Sequence, residues 1–135
     1  MNIAFFLLPK QDVVYLAIKS SLQKALEKME LHRFSAIPLI DEKGKYIGTI
    51  TEGDLLWKMK NTPGLTFADT IKIRLGDVPR RTVNTAVRID AEIEDLLTLA
   101  INQNFVPVID DNDYFIGIVR RRDIIGHFVQ SRKTI

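Results

Sequence analysis

The sequence repeats itself, and this repeat constrains the fold more than any single motif does. Residues 35–56 read SAIPLIDEKGKYIGTITEGDLL, and residues 104–125 read NFVPVIDDNDYFIGIVRRRDII. A proline, a turn aspartate, a glycine and a helix-start aspartate occur in both stretches at a constant offset of 69 residues. The matched positions are Pro38 and Pro107, Asp41 and Asp110, Gly48 and Gly117, and Asp54 and Asp123. We therefore expect two copies of one structural unit.

Local signals predict the order strand, helix, strand, strand, helix in each copy. A turn sequence separates the two adjacent strands, at residues 41–44 and again at residues 110–113. Because proline cannot donate a hydrogen bond within a sheet, we expect Pro38 at the start of a strand or on an edge strand. One hairpin and one crossover per copy predict a small mixed sheet with its helices on one face. The fold class is therefore α+β.

The length and composition fit one globular module with two halves. The chain has 135 residues, of which 46% are hydrophobic and 27% are charged. A net charge of +2 and an aromatic content of 8% argue against nucleic-acid binding. We expect one pseudo-twofold module over residues 1–135, with repeat one at about 10–60, a linker at 61–76 and repeat two at about 77–130.

The sequence contains no pattern for catalysis or metal binding. Cysteine is absent, which excludes disulfides and thiolate metal ligands and suits a reducing cytoplasm. The two histidines, His32 and His127, lie in different repeats. No phosphate-binding loop, dinucleotide fingerprint or nucleophile elbow is present. We expect a cytoplasmic protein that is not an enzyme and has neither a metal site nor a cofactor.

The N-terminal residues 3–8 are all apolar and are followed by Pro9. Six residues are too few to span a membrane, and no positive charge precedes them as in a signal peptide. We expect this segment to pack on the domain or on a second subunit. Anchoring at a membrane surface is the alternative.

Thr51 and Asp54 form the pattern of a helix N-cap, in which a threonine is followed three residues later by an acid. The same residues could also form hydrogen bonds with the hydroxyl groups of a ligand, because the two roles are not exclusive. In the second copy Arg120 replaces the threonine, and arginine cannot accept a hydrogen bond from a backbone N–H group. Asp123 still complements the helix dipole.

Arginine is concentrated at two places in the second half. Arg120, Arg121 and Arg122 begin the last helix, where guanidinium groups and free backbone N–H groups suit a phosphate. Since successive helical residues point in different directions, at most two of them can face one site, and a solvated charge run is the alternative. We expect Arg80 and Arg81 to be exposed, with contact to an anionic ligand or a partner as the alternative.

The repeated unit resembles the CBS domain pair, or Bateman module. Residues 36–41 (AIPLID) and 48–54 (GTITEGD) carry the resemblance, with residues 106–110 (VPVID) and 117–123 (GIVRRRD) in the second copy. It covers residues 13–130 and implies tandem CBS repeats. The chain is also similar to stand-alone bacterial two-repeat proteins, some of which bind cyclic di-AMP.

The resemblance implies a regulatory protein that binds an adenine nucleotide (AMP, ATP, S-adenosylmethionine or cyclic di-AMP) in clefts between the repeats, forms a homodimer and signals to a separate protein partner. The adenine would lie near the strand prolines, and the ribose near the helix-start residues. The implied ligand-binding residues are Ala17, Ile18, Ser35, Ala36, Ile37, Pro38, Thr51, Asp54, Phe105, Val106, Pro107, Arg120, Arg121, Arg122 and Asp123. The alternative is a ligand-free scaffold that mediates dimerisation or protein interaction.

Overall fold

A computed structural model describes residues 1–133 of the chain. Within these residues the chain forms short strands and α-helices in the predicted α+β arrangement, joined by 3-10 turns. The helices are α1 (Leu22–His32), α2 (Glu52–Lys60), α3 (Ile93–Ala100) and α4 (Arg121–Lys133). The strands are β1 (Leu8–Pro9), β2 (Leu16–Ala17), β3 (Ala36–Ile40), β4 (Tyr46–Thr51), β5 (Val87–Arg88), β6 (Phe105–Ile109) and β7 (Phe115–Arg120).

Contacts divide the chain into two compact units. One consists of Val14–Val83, and the other of Met1–Val13 together with the chain from Asn84 onward. Each unit contains the predicted order of strand, helix, strand, strand and helix. The hairpin has the same irregularity in both units. The strand register shifts between Leu39 and Ile40 in one unit and between Val108 and Ile109 in the other.

The unit of residues 14–83 has a three-stranded sheet in the order β2-β3-β4. β2 runs parallel to β3, and β3 runs antiparallel to β4. Side chains from α1, β3 and α2 meet in its core, which includes the fully buried Leu22, Ile37 and Ile50. The apolar spacing along α1 places its buried residues on one face, as an amphipathic helix requires.

Pro38 lies in the middle of β3, the central strand of this sheet. The expectation of a strand start or an edge strand was therefore wrong. Since β2 is only two residues long, it pairs with Leu39 and Ile40 and leaves the flank of Pro38 without a neighbouring strand. The missing N–H group thus breaks no bond to β2. Pro107 holds the same position in β6, where β5 also stops short of it.

The other unit has a four-stranded sheet in the order β1-β7-β6-β5. Its edge strand β1 comes from the apolar N-terminal segment, pairing Leu8 with Ile118 and Pro9 with Gly117. Ile3 in the same segment is fully buried in the core of this unit. The prediction that the N-terminal segment packs on the domain is confirmed.

The hairpin between β3 and β4 is closed by Asp41, and its charge yields a pH prediction. Asp41 Oδ1 accepts the backbone N–H groups of Lys43 at 2.8 Å and Lys45 at 2.9 Å. The hydrogen bond from Lys45, with smaller contributions from Lys43 and both lysine charges, holds the pKa of Asp41 below its ordinary value. A depressed carboxyl pKa contributes stability that is present above the unfolded-state pKa and is lost as the pH falls.

Asp41→Asn is therefore expected to melt at a lower temperature than the wild type at pH 7. The difference should shrink as the pH falls below about 4, where the unfolded-state carboxyl becomes protonated. Thermal melts of both proteins between pH 7 and the lowest pH at which they fold measure it. A difference that is the same at every pH would show that the charge of Asp41 has no part in it.

Candidate functional site

Thr51 and Asp54 hold the junction between β4 and α2 by a reciprocal pair of hydrogen bonds. Thr51 Oγ1 accepts the backbone N–H of Asp54 at 3.1 Å, and Asp54 Oδ2 accepts the backbone N–H of Thr51 at 2.9 Å. This is a capping box, which satisfies two N–H groups that the helix itself leaves unpaired. The capping role predicted for this pair is confirmed.

The other carboxylate oxygen of Asp54 binds a segment far along the chain. Asp54 Oδ1 accepts the backbone N–H of Arg81 at 3.0 Å. Only 2% of Asp54 is exposed, so the carboxylate is buried with both oxygens accepting backbone hydrogen bonds. A buried carboxylate is stable only when hydrogen bonds replace its lost hydration. The segment around Arg81 supplies one of these bonds.

A small cavity lies beside Asp54. Its volume is about 120 Å³, and its lining comprises Asp54, Trp57, Lys58, Asn61, Thr62, Pro79 and Arg81. The guanidinium carbon of Arg81 lies 5.6 Å from the centroid of the Trp57 ring, within the range of a cation–π contact. Ligand pockets of nucleotide size measure about 300–1,000 Å³. In this conformation the cavity is therefore too small for a nucleotide.

Arg80 covers the neighbouring strand at Gly48. A Cβ atom added to Gly48 would lie 2.8 Å from Nε of Arg80, so the guanidinium rests directly on the backbone of β4. Tyr46, which precedes Gly48 on the same strand, donates to or accepts from Thr49 Oγ1 at 2.9 Å. Burial raises the pKa of the Tyr46 phenol, and the Thr49 hydrogen bond and the Arg80 charge oppose that rise.

The predicted strand residues of repeat one differ in their exposure to solvent. Ile37 and Pro38 are buried in β3, whereas Ser35 is exposed and Ala36 is partly exposed at its start. The backbone groups of Ile18 already have partners, because its N–H donates to Ile40 O at 3.0 Å and its C=O accepts from Gly76 N at 2.9 Å. Ala17 is partly exposed and pairs with Ile40 in the sheet.

The second repeat differs from the first at the matching helix start. Arg120 stands in the place of Thr51, and its Nε donates to Asp123 Oδ2 at 2.9 Å as an ion pair. Asp123 therefore has a charged side-chain partner where Asp54 has two backbone partners. Phe105, Val106 and Pro107 are buried in β6. The matched strand prolines are thus buried in both repeats, whereas the acidic positions have different partners.

The three arginines predicted to bind phosphate have different surroundings. Arg121 Nε donates to the backbone carbonyl of Gln103 at 2.9 Å, while Arg120 is paired with Asp123. Arg122 is exposed. Gln103 is only 4% exposed, and its side chain forms hydrogen bonds with the backbone of Thr85 and Phe105. Arg120 and Arg121 are thus held by intramolecular contacts that a phosphate would have to replace or join.

The roles of Arg81 and Trp57 did not emerge from the sequence, although one signal pointed to this region. The tripeptide Val78-Pro79-Arg80 resembles Leu8-Pro9-Lys10 at an offset of 70 residues. Each tripeptide lies next to one of the two strand glycines that occur in both repeats. Arg80 lies next to Gly48, and Leu8 lies next to Gly117. Extending the repeat alignment to these segments identifies them as matching elements.

Several apolar side chains on the helices are exposed. Leu55 and Ile124 are buried in the cores, whereas their neighbours Leu56 and Ile125 are 54% and 48% exposed. The exposed apolar residues of the four helices are Leu31, Leu56, Trp57, Leu97, Ile125 and Val129. Within residues 1–133, no cluster of three histidine or acidic side chains could hold a metal ion. No helix in that range is both long and apolar enough to cross a membrane.

Solved structures share this fold over nearly the whole chain. A conserved protein of Geobacillus kaustophilus superposes with a TM-score of 0.84 at 25% identity, covering 97% of this chain and 98% of that one. CbpB of Listeria monocytogenes, solved with c-di-AMP, gives 0.80 at 21% identity and 98% coverage of each chain. CBSX2, solved with AMP, gives 0.76 at 23% identity, covering 97% of this chain and 98% of CBSX2.

Two sequence relatives come from methanogens. An uncharacterised protein of Methanopyrus kandleri is 28% identical over 118 residues, which are 86% of this chain and 58% of that protein. The inosine-5′-monophosphate dehydrogenase of Methanocaldococcus jannaschii is 29% identical over 117 residues, or 85% of this chain and 21% of the dehydrogenase. The chain thus matches only part of each relative.

A family model assigns this chain to a protein family, which the partial matches to relatives do not do. The CBS domain model matches residues 7–61 and again residues 75–130. The two matches contain the two repeated stretches and both helix-start aspartates. This chain belongs to the CBS domain family and contains two CBS domains.

Proposed function

We propose that this protein is a regulatory module, not an enzyme, that binds an adenine nucleotide through its first CBS domain and signals to a separate protein. The observation that carries the proposal is the Thr51–Asp54 pair at the start of α2. Asp54 is a buried carboxylate one turn into a helix, and ribose hydroxyl groups are suited to such an acceptor. The proposed cellular location is the cytoplasm.

The similar proteins support an adenine ligand. CbpB and CBSX2 were solved with c-di-AMP and AMP, respectively, and both ligands contain adenosine units. In the proposed complex, Asp54 and Thr51 bind the ribose, and the residues around Pro38 lie near the adenine. Ser35 and Ala36 are the accessible members of that group. Any effect on a partner must arise because the nucleotide binds one conformation more tightly than another.

Titration calorimetry with AMP and 2′,3′-dideoxy-AMP tests the proposed ribose contact. The wild-type protein is expected to bind AMP and to bind the dideoxy analogue roughly a hundredfold more weakly, because hydrogen bonds to a carboxylate are the stronger kind. Equal affinity for both would contradict the role of Asp54. Screening ATP, S-adenosylmethionine and cyclic di-AMP in the same way identifies the preferred nucleotide.

A ligand-free scaffold is the second candidate function, and the Arg120–Asp123 ion pair favours it. This pair occupies the second acidic site with the chain's own side chain at 2.9 Å. A scaffold needs a partner surface and no ligand. The absence of nucleotide binding in calorimetry, together with a stable dimer, would favour the scaffold over the sensor.

We also propose that the exposed apolar helix residues are covered in a homodimer. Leu56 and Ile125 are equivalent positions at the repeat offset, and both are about half exposed. Leu56→Glu with Ile125→Glu is expected to convert the dimer to a monomer in sedimentation velocity, since each subunit would bury two charges without partners. Val83→Glu, at an 86% exposed apolar residue outside the helices, is the control and should leave the dimer intact. A wild-type monomer, or an unchanged dimer in the double variant, would contradict this arrangement.

A further inference from the structure

We infer that residues 79–81 form a strap that closes the Asp54 site and that nucleotide binding must displace. The inference rests on the proposed function, because it concerns access to the carboxylate that would bind ribose. The strap follows Val78, which is 2% exposed and anchored in the core, whereas Pro79, Arg80 and Arg81 are exposed.

The first argument is access to Asp54. One carboxylate oxygen accepts the N–H of Thr51, and the other accepts the N–H of Arg81. Thr51 is part of the helix cap, so its bond is fixed by the fold. The Arg81 bond comes from a segment without helix or strand structure. With only 2% of Asp54 exposed, a ribose hydroxyl reaches the carboxylate when Arg81 moves.

The second argument is space. The cavity beside Asp54 measures about 120 Å³, and Pro79 and Arg81 form part of its wall. That volume holds a few water molecules but no nucleotide. Pro79 and Arg81 are the least anchored part of this wall, because Trp57 and Lys58 belong to helix α2. Moving the strap removes this part of the wall. The same motion therefore exposes Asp54 and enlarges the cavity.

The third argument is that few contacts hold the strap and that a ligand can replace the strongest of them. They are one backbone hydrogen bond to Asp54, the Arg81 guanidinium near Trp57 at 5.6 Å, and the Arg80 side chain on Gly48. The side-chain contacts of Arg80 and Arg81 contribute little at an exposed position, and the strongest contact, the hydrogen bond to Asp54, is the one that a ribose hydroxyl would replace. A ligand that binds the carboxylate can therefore replace them reversibly.

In the unit that contains the second repeat, the segment that matches the strap is fixed in the sheet. Leu8 and Pro9 form strand β1, which pairs with β7 at Ile118 and Gly117. Ile3, in the same segment, is fully buried. Val78 and Pro79 form no strand beside β4, and no strand within the described residues pairs with the outer edge of β4. The first repeat thus has a movable closure where the second has a fixed one.

Two substitutions separate the backbone of Arg81 from its side chain. Arg81→Pro removes the N–H group that binds Asp54, and Arg81→Ala keeps that group while removing the guanidinium. Thermal melting checks that both variants fold. AMP and cyclic di-AMP serve as ligands in calorimetry. Arg81→Pro is expected to bind the nucleotide roughly two- to tenfold more tightly than the wild type, because the ligand no longer displaces a hydrogen bond.

Fluorescence provides the second measurement, because Trp57 is the only tryptophan in the sequence. Nucleotide is expected to change Trp57 emission in the wild type by separating it from Arg81. In Arg81→Ala, the emission should differ without ligand and respond much less to nucleotide. This comparison stands even if Arg81→Pro fails to fold.

The outcomes distinguish the strap from the proposed function. If the wild type binds none of AMP, ATP, S-adenosylmethionine and cyclic di-AMP, both are overturned. If it binds but Arg81→Pro has unchanged affinity, or the nucleotide leaves Trp57 emission unchanged, the strap is overturned and the proposed function stands. Tighter binding by Arg81→Pro together with a Trp57 response that depends on the Arg81 side chain supports the strap; if Arg81→Pro does not fold, the Trp57 response alone decides.

Discussion

Asp54→Ala is expected to abolish measurable nucleotide binding and to destabilise the protein. The loss of two hydrogen bonds from ribose to a carboxylate corresponds to a decrease in affinity of about a hundredfold or more. The substitution also leaves the N–H groups of Thr51 and Arg81 without their acceptor. Because unpaired groups in a buried site are costly, the free energy of unfolding should fall by about 2–3 kcal/mol. Calorimetry and urea denaturation measure the two effects.

Asp123→Ala is the matched control for this substitution. Asp123 occupies the same position in repeat two but binds the side chain of Arg120, which can turn to solvent when its partner is removed. A smaller loss of stability and unchanged nucleotide affinity are expected, because a partly exposed ion pair contributes little. Equal loss of affinity in both variants would mean that both repeats bind the ligand, and intact binding by folded Asp54→Ala would contradict the ribose assignment.

Gly117→Ala is expected to have the largest effect on stability, lowering the free energy of unfolding by about 3 kcal/mol or more. Gly117 has a φ of +157°, and a Cβ atom there would lie 2.2 Å from the carbonyl oxygen of Leu8 and 2.8 Å from Leu7 Cδ1. The strand β1 would have to move away from β7, so the clash combines backbone strain with overpacking. Urea denaturation measures the change.

Gly48→Ala controls for the backbone conformation. Gly48 has nearly the same φ, +156°, but its nearest neighbour is the flexible side chain of Arg80. The difference between the two variants therefore isolates the rigid contact with Leu8. A similar loss of stability in both would show that backbone strain alone dominates and that the β1–β7 contact is unimportant.

The repeat predicted the fold because its signals are local. Gly44 takes a φ of +89° in the first hairpin, as a turn glycine can, and Thr51 caps α2. The position of Pro38 could not be predicted in the same way, because it depends on how far β2 extends beside it. Strand length at a sheet edge is set by pairing with distant residues, which a local pattern does not contain.

The candidate site was only partly predictable for the same reason. Thr51 and Asp54 are close in sequence, so their mutual hydrogen bonds follow from a helix-start pattern. The bond between Asp54 and Arg81 joins residues that are far apart in the sequence, and the contact between Arg81 and Trp57 depends on where the connecting segment returns. The ligand roles assigned to all the strand and helix-start residues, including Thr51 and Asp54, stay predictions.

Thermal melting with AMP, ADP, ATP, S-adenosylmethionine and cyclic di-AMP tests the central claim most directly. A nucleotide at a hundred times its dissociation constant adds about 2.7 kcal/mol to the stability of the folded state. For a protein of this size, the expected rise in Tm is about 8 °C. A rise of this order with at least one nucleotide is the predicted result. A cooperative melt that none of them shifts at millimolar concentration would contradict the sensor and favour the scaffold.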